Sequence, residues 1–337
     1  MHTKSTPCRI PLLACALALV LPGAVFAEGS EKITPLDEQK QQLAEANLPA
    51  AVKLYISYMQ DFDARYPDSA LVDTTQVIAE EGEIMASLYC NAIGIDGPCA
   101  PDATTGNFVA VGGADATARL GGDGKWWVWL ENIAYNIGVI PEVKACPAPT
   151  QLVVMAMDDE NRSNINSRGG WIGSTGSTTD TIWRYCRLGY ASSMQFRPLP
   201  LTGTDYNYAV QNMGVFCPPG ATRAGRFHDN QGGPNNNYST GTVFPSVNVA
   251  GRNWLTFTCH FRGGNASVGT MSAFPNLGFR YGVFGSQYMP AGYALQTGRV
   301  YQDDEDFNNV NLWINLPSNS AMFMGLTNTL RYLVRVQ

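Results

Sequence analysis

Histidine is scarce in this chain of 337 residues, with three in all. Only His228 and His260 stand beyond the first 27 residues. That scarcity argues against His-rich metal catalysis and against a repeated Ser-His-Asp arrangement. Gly173-Ser174-Thr175-Gly176 lacks the spacing of a nucleophile elbow and does not restore a hydrolase triad. Basic residues are also few: 22 Lys and Arg face 28 Asp and Glu, a formal net charge of −6. Such a balance argues against nucleic acid and anionic membrane surfaces as partners, while leaving cation binding open. Beyond the N-terminus no apolar run is long enough to span a bilayer, so no transmembrane helix is expected in the mature chain.

The N-terminus has the layout of an export signal. Lys4 and Arg9 supply charge, Ile10 to Leu21 form a mostly apolar stretch, and Val25-Phe26-Ala27 is a small-residue cleavage site. Pro22-Gly23 interrupts the apolar run too early for a membrane span. Cleavage near Ala27 takes Lys4 and Arg9 away and leaves 20 basic against 28 acidic residues, a net charge of −8. The expectation is a protein that is secreted, periplasmic or held at the cell surface.

What the chain does carry is one loop motif written three times. Met157 to Asn166, His228 to Asn237 and Gln302 to Asn311 align without a gap, at spacings of 71 and 74 residues. The shared pattern is Asp-[Asp/Asn]-[Glu/Gln]-x3-Asn-x-Asn. Every common position carries a side-chain oxygen. A repeat of this period is read before any other architectural feature.

Six cysteines follow the leader, an even number that reads as three disulfides in an oxidising compartment. Cys146 and Cys217 each precede the motif Asp by 12 residues, while Cys186 and Cys259 follow it by 28 and 30. The third copy loses both positions together, with Met289 near the first and Val334 at the second. Joint loss is the signature of a bonded pair. The expected bridges are therefore Cys146–Cys186 and Cys217–Cys259, with Cys90–Cys99 as the remainder. None of these spacings has the close cysteine pairs of a zinc knuckle.

Residues 28–100 read as helical, with amphipathic stretches over Leu36 to Tyr66 and Val72 to Tyr89. Pro49 is placed to kink or divide the first, and Pro67-Asp68-Ser69 breaks the two apart. This region reads as a helical cap or a partner-docking segment. Residues 101–124 form a Gly-rich transition. From 125 to 337 short apolar runs alternate with Gly, Pro, Asn, Ser and Thr, the texture of an all-β region. It divides into three repeats of about 70 residues, roughly 125–197, 198–270 and 271–337. A strand is expected before each motif (Leu152–Met157, Ala224–His228, Arg299–Gln302) and another at the end of each unit. Tyr208-Ala-Val and Tyr281-Gly-Val suggest opening strands ahead of the later motifs. The fold class is mainly β, three tandem repeats after a short helical region. The blocks pack either as a pseudo-threefold, prism-like body or as three small sandwiches. The first is favoured, because a 70-residue block alone has a marginal core.

Three chemistries suit the motif. As a calcium site it would use Asp158, Asp159, Glu160, Asn164 and Asn166 in the first copy. The third would use Asp303, Asp304, Glu305, Asn309 and Asn311, with a weaker set of Asp229, Asn230, Asn235 and Asn237 in the second. As a structural turn network the same Asp and Asn side chains would bond backbone amides. As a ligand surface the loops would act together with Trp126, Trp127, Trp129 and Trp171, whose flat faces suit sugar rings. Alternation along a strand places at least one of the first three tryptophans in the core. His228, beside Asp229, reads as a surface hydrogen-bonding residue, and no catalytic residue is assigned. The functional expectation is an exported binding or adhesion protein for a glycan or another envelope protein, with Ca²⁺ ordering two loops. The alternatives are a secreted hydrolase that acts on polysaccharide through loop carboxylates and a purely structural envelope protein.

Overall fold

Proline lacks an amide hydrogen and is tolerated only at the margin of a helix. Pro49 accordingly stands just ahead of helix α1 (Ala50–Arg65), and Ala46 to Pro49 is not helical. The computed structural model describes residues 46–67, 72–96, 99–101, 108–110, 130–159, 163–230, 236–249, 251–304, 310–317, 320, 322–325 and 328–337. All of them belong to one compact unit, Ile33–Gln337. The export leader, the part of the first expected helix before residue 46, and Trp126, Trp127 and Trp129 lie outside the described residues. So do Glu160, Asn235, Glu305 and Asn309.

Helix α2 (Thr74–Ala92) starts on Asp73, whose carboxylate accepts from the amides of Thr75 and Gln76 at 3.1 and 3.3 Å. This cap satisfies donors that have no partner inside the helix. A disulfide from Cys90 to Cys99 ties the end of α2 to β1 (Cys99–Pro101), which pairs antiparallel with β2 (Phe108–Ala110). Sequence reading did not anticipate that two-stranded sheet.

The first segment of the β region contributes β3 (Ile137–Pro141), β4 (Gln151–Met157), β5 (Ser167–Gly170), β6 (Gly176–Ser177) and β7 (Thr181–Leu188), followed by the short helix α3 (Tyr190–Ser193). The second contributes β8 (Tyr208–Asn212), β9 (Ala221–His228), β10 (Tyr238–Thr240), β11 (Val247–Val249) and β12 (Asn253–Phe261). The third contributes β13 (Tyr281–Gly285), β14 (Gln296–Gln302), β15 (Leu312–Ile314), β16 (Phe323–Met324) and β17 (Thr329–Arg335). Together they form one curled antiparallel sheet of 15 strands. The fold is mostly β, with few helices.

Pairing within segments joins β4 to β7, β9 to β12 and β14 to β17. Each return strand after a motif pairs outside its own segment: β10 with β4, β15 with β9, and β5 with β14. The opening strands β3, β8 and β13 also pair with one another, each with both of the others. No segment therefore completes its hydrogen bonding alone. The expected bridges Cys146–Cys186 and Cys217–Cys259 are present. In the third segment Met289 and Val334 are buried at the corresponding places, both close to Gly285.

Two buried clusters result. One lies inside the curled sheet and includes Trp183, Tyr208, Trp254, Tyr281, Phe284 and Val334. The other joins α1 and α2 to the opposite face of β9, β11, β12 and β15 through Phe227, Leu255, Phe257, Leu312 and Ile314. Tyr55 meets Phe257 edge-on at 6.3 Å between centroids, and its hydroxyl donates to the carbonyl of Pro245 at 3.0 Å. Arg223, buried on β9, reaches Asp63 of α1 at 3.4 Å. Sequence explains why the helices rest on this segment. Where the second has Phe257 and Phe227, the first has Arg184 and Ala156, and the third has Tyr332 and Tyr301. Only the second presents a broad apolar face that must be removed from water.

The seam between β5 and β14 depends on one close approach. A Cβ added at Gly298 would sit 1.9 Å from the carbonyl oxygen of Trp171, a backbone atom that cannot swing aside. Gly298→Ala is expected to cost about 1–3 kcal/mol or more through forced strand separation. A lowered urea midpoint would register it, and an unchanged midpoint would refute the contact.

Candidate functional site

The strands that precede the motifs end at Met157, His228 and Gln302, so all three motif loops leave the same end of the sheet. The leading Asp and the side-chain oxygen of the final Asn in each motif reach across to a neighbouring loop. The amide of Asp158 donates to Asn237 Oδ1 at 2.7 Å, and the amide of Asn236 donates to Asp158 Oδ2 at 2.7 Å. The amide of Asp229 donates to Asn311 Oδ1 at 2.8 Å, and that of Val310 to Asp229 Oδ2 at 3.0 Å. The amide of Asp303 donates to Asn166 Oδ1 at 2.6 Å, and that of Ile165 to Asp303 Oδ2 at 2.7 Å. The first motif is thus clasped to the second, the second to the third and the third to the first.

The chemistry of this clasp explains the residue types. The leading Asp both donates through its backbone and accepts through its carboxylate, and the final Asn supplies the carbonyl oxygen. Asp158 and Asp303 are buried at 5 % and 1 % exposure, so their carboxylates need these amide donors in place of water. Asn164 shapes its own turn, accepting from the amide of Asn166 at 2.9 Å and donating to the carbonyl of Thr179 at 2.7 Å.

Beneath the clasp lies a charged layer. Asp159 and Asp304 are fully buried, and Gln302 Nε2 donates to one oxygen of each, at 2.9 and 3.1 Å. Thr181 donates to Asp159 at 2.5 Å and Thr329 to Asp304 at 3.1 Å. Asn230, the second residue of the middle motif, accepts from Asn237 Nδ2 at 3.2 Å. Arg226 Nη2 lies 3.7 Å from Asp304 Oδ2. Arg331 donates to Gln302 Oε1 at 2.8 Å and to His228 Nε2 at 2.6 Å. Because Arg331 can only donate, His228 Nε2 must be unprotonated, and the ring proton sits on Nδ1, which is 3.4 Å from Asp304 Oδ1. The guanidiniums also stack, Arg226 over Trp313 at 4.7 Å and Arg331 over Trp183 at 4.8 Å.

Burial dominates the ionisation of this layer. It lifts the Asp159 carboxyl well above the usual range, and the neighbouring charge of Asp304 adds to that. It pushes His228 down to about 4, with Arg331 and Arg226 opposing protonation and Asp304 favouring it. His260, buried beside Thr258, falls to about 3 by burial alone. Two acids and two arginines thus face one another around a neutral imidazole. Thr256 Oγ1 is 3.5 Å from His228 Nε2, yet that nitrogen already accepts from Arg331 and the group is enclosed, so it is not a nucleophile–base pair.

Of the residues expected to carry the site, Asp158, Asp159, Asn166, Asp229, Asn230, Asn237, Asp303, Asp304 and Asn311 converge in the clasp and the layer beneath it. Trp171 is elsewhere, half-buried against Gly282 and Gly298, with its indole N–H on Glu142 at 2.9 Å. His228, expected at the surface, is fully buried. Sequence reasoning missed Arg226, Arg331, Gln302, Thr181 and Thr329. Strand alternation was the available signal, since Arg226 and His228 share one face of β9. Among the described residues no group of three His, Cys, Asp or Glu is placed to hold a metal ion, and no helix is long and apolar enough to cross a membrane.

Residues 125–245, just over a third of the chain, match a family model described as Bacterial ApeC. The matched stretch spans the first two motifs. No curated protein and no solved structure matches the chain.

Proposed function

We propose that this chain is an exported, non-catalytic binding module for glycans of the cell envelope, built as a pseudo-threefold, prism-like β body whose repeated motifs clasp the three segments together. The observation that carries the reading is the cyclic exchange of Asp and Asn hydrogen bonds between motifs. It gives the repeated residues a structural task and leaves the outer surface for recognition. The mutual pairing of β3, β8 and β13 supports the threefold arrangement. The disulfides favour an oxidising compartment. Tyr190, Tyr238 and Tyr288 are exposed at 58, 48 and 67 %, and such faces suit sugar rings. Against a hydrolase acting through the motif carboxylates stands the burial of Asp158, Asp159, Asp303 and Asp304.

Calcium is the second reading, and one contact favours it. Asp180 lies beside Asp158, and its carboxyl is raised by burial and then by that neighbouring carboxylate. Two carboxylates in contact share either a proton or a cation. The corresponding residues of the other segments are Asn253 and Asn328, so a cation would be confined to the first loop.

Binding of the oxidised chain to a panel of polysaccharides tests the main reading. Saturable binding without release of reducing ends is the expected result. Release of sugar products would establish the hydrolase, and the absence of any binding would remove the glycan. Thermal unfolding in EDTA and then in millimolar Ca²⁺ tests the second. A ligand held only by the native state raises stability by RT ln(1 + [L]/Kd). A structural clasp gives no shift. A rise that is lost in Asp180→Asn would assign calcium to the first loop.

A further inference from the structure

We propose that the buried relay Arg331–His228–Asp304 is a proton-operated lock on the seam between the second and third segments. Three elements meet there: β9 carries Arg226 and His228, β17 carries Arg331, and the third motif carries Asp304. Asp159 faces the same centre from the first motif through Gln302, and Tyr185 on β7 lies near Arg331.

The lock follows from the direction of the hydrogen bonds. Arg331 Nη2 donates at 2.6 Å into the only imidazole nitrogen able to accept. A proton arriving on that nitrogen turns the acceptor into a donor and sets N–H against N–H. It also places a third positive charge beside Arg226 and Arg331, whose counter-charges are Asp304 and Asp159. Acid weakens the latter set as well, because Asp159 is already inclined to hold its proton. No water-exposed position within the ring's present contacts relieves the clash, since His228 is fully enclosed. Arg331 and His228 must separate.

That separation bears directly on the seam beside His228. His228 is followed by Asp229, whose amide and carboxylate hold Asn311 and the amide of Val310. Asp303, which holds Asn166 and Ile165, adjoins Asp304 at the other end of the relay, whereas the clasp between the first and second motifs, Asp158 with Asn237, adjoins no relay residue. Ordinary histidine protonates near 6.5, and His228 in the closed seam is held down to about 4. The unfolded or opened state therefore binds the proton more tightly. Stability of the seam is whole above pH 6.5 and is lost progressively as pH falls towards 4.

Amide hydrogen exchange of the oxidised full chain, read at pH 7 and pH 5 and corrected for intrinsic rates, tests the lock. Protection at Asp229 and Val310 is expected to fall by about tenfold or more, as one unit of proton linkage gives, while Asp158 and Asn236 change less. In His228→Gln, whose amide can donate to Asp304 and accept from Arg331, that fall should disappear. In His260→Gln it should persist. If His228→Gln does not fold, the imidazole signals of the unaltered protein decide the matter. Its Nε2 should be bare at pH 7 and gain a proton together with the opening. Protonation of His228 without loss of protection at Asp229 and Val310, or an equal loss in His228→Gln, would overturn the proposal.

Discussion

Replacing Asp304 with alanine should be the most damaging single change in the charged layer, lowering stability by about 3–5 kcal/mol. The carboxylate faces Arg226 at 3.7 Å, His228 at 3.4 Å, Gln302 at 3.1 Å and Thr329 at 3.1 Å, all within a water-excluded region. Two effects compete when a buried ion group is altered. A complete pair exchanged for well-packed apolar side chains is often neutral, because the desolvation of both charges is removed together. Removal of one partner is different, because the other charge stays buried and unbalanced. Asp304→Ala belongs to the second case. Among the described acids, Asp159 would remain beside Arg331, and it itself resists ionisation.

A graded series distinguishes this account from simple loss of hydrogen bonds. Asp304→Asn keeps an acceptor for Thr329 but removes the charge, so it should fall between wild type and Asp304→Ala. Asp229→Ala removes the acceptor for the Val310 amide and no buried ion pair, while the backbone donation to Asn311 remains; it should cost about 0.5–1.5 kcal/mol, as one modest hydrogen bond does. Because the layer is enclosed, raising the salt concentration should not shrink the Asp304→Ala deficit, in contrast to a surface pair. Urea unfolding supplies the measurement. A cost of Asp304→Ala below about 1 kcal/mol, or no larger than that of Asp229→Ala, would show that the arginines are compensated from elsewhere.

Much of the strand pattern was legible because period-two alternation and turn residues are local signals. The strands flanking each motif were recognised from runs such as Thr181 to Leu188, and the structure extends several by one to three residues. Strand β3 was missed, since Ile137-Gly138-Val139-Ile140-Pro141 lacks the opening Tyr that marked β8 and β13 and, like them, is buried throughout. The convergence of the motifs was legible in composition but not in partnership. Asp158 and Asn166 belong to one loop, yet each bonds a different neighbouring loop. Nothing in a spacing of eight residues says whether an Asp–Asn pair closes on itself or on another copy. The charged layer was hidden for a different reason. Arginine is ordinarily assigned to the surface, so the alternation that puts Arg226 on the face of His228 was not read as burial until the return strands were seen to pair between segments. The face that receives α1 and α2 was readable in principle, because aligning the three segments exposes Phe227 and Phe257 against smaller or polar counterparts.

Removing the long disulfides should have the other large effect, and the segment without one indicates what opposes it. Cys146–Cys186 and Cys217–Cys259 close stretches of 40 and 42 residues, and Cys90–Cys99 closes 9. Loop-closure entropy in the unfolded chain then makes each long bridge worth about 4 kcal/mol and the short one about 2.6 kcal/mol. Single domains are stable by only about 5–15 kcal/mol, so losing all three approaches the whole margin. The third segment survives without a bridge because β17 pairs with β13, β14 and β16, and Val334 and Met289 fill the space with apolar contact. Contact of that kind exists only once the neighbouring segments are in place, whereas a disulfide restrains the chain before folding. Replacing Cys217 and Cys259 together by alanine should therefore lower the urea midpoint more than replacing Cys90 and Cys99. Full reduction should abolish a cooperative transition at 37 °C. A Cys217→Ala/Cys259→Ala chain that loses less than about 1 kcal/mol would mean that pairing between segments, and not the bridge, holds the second segment closed.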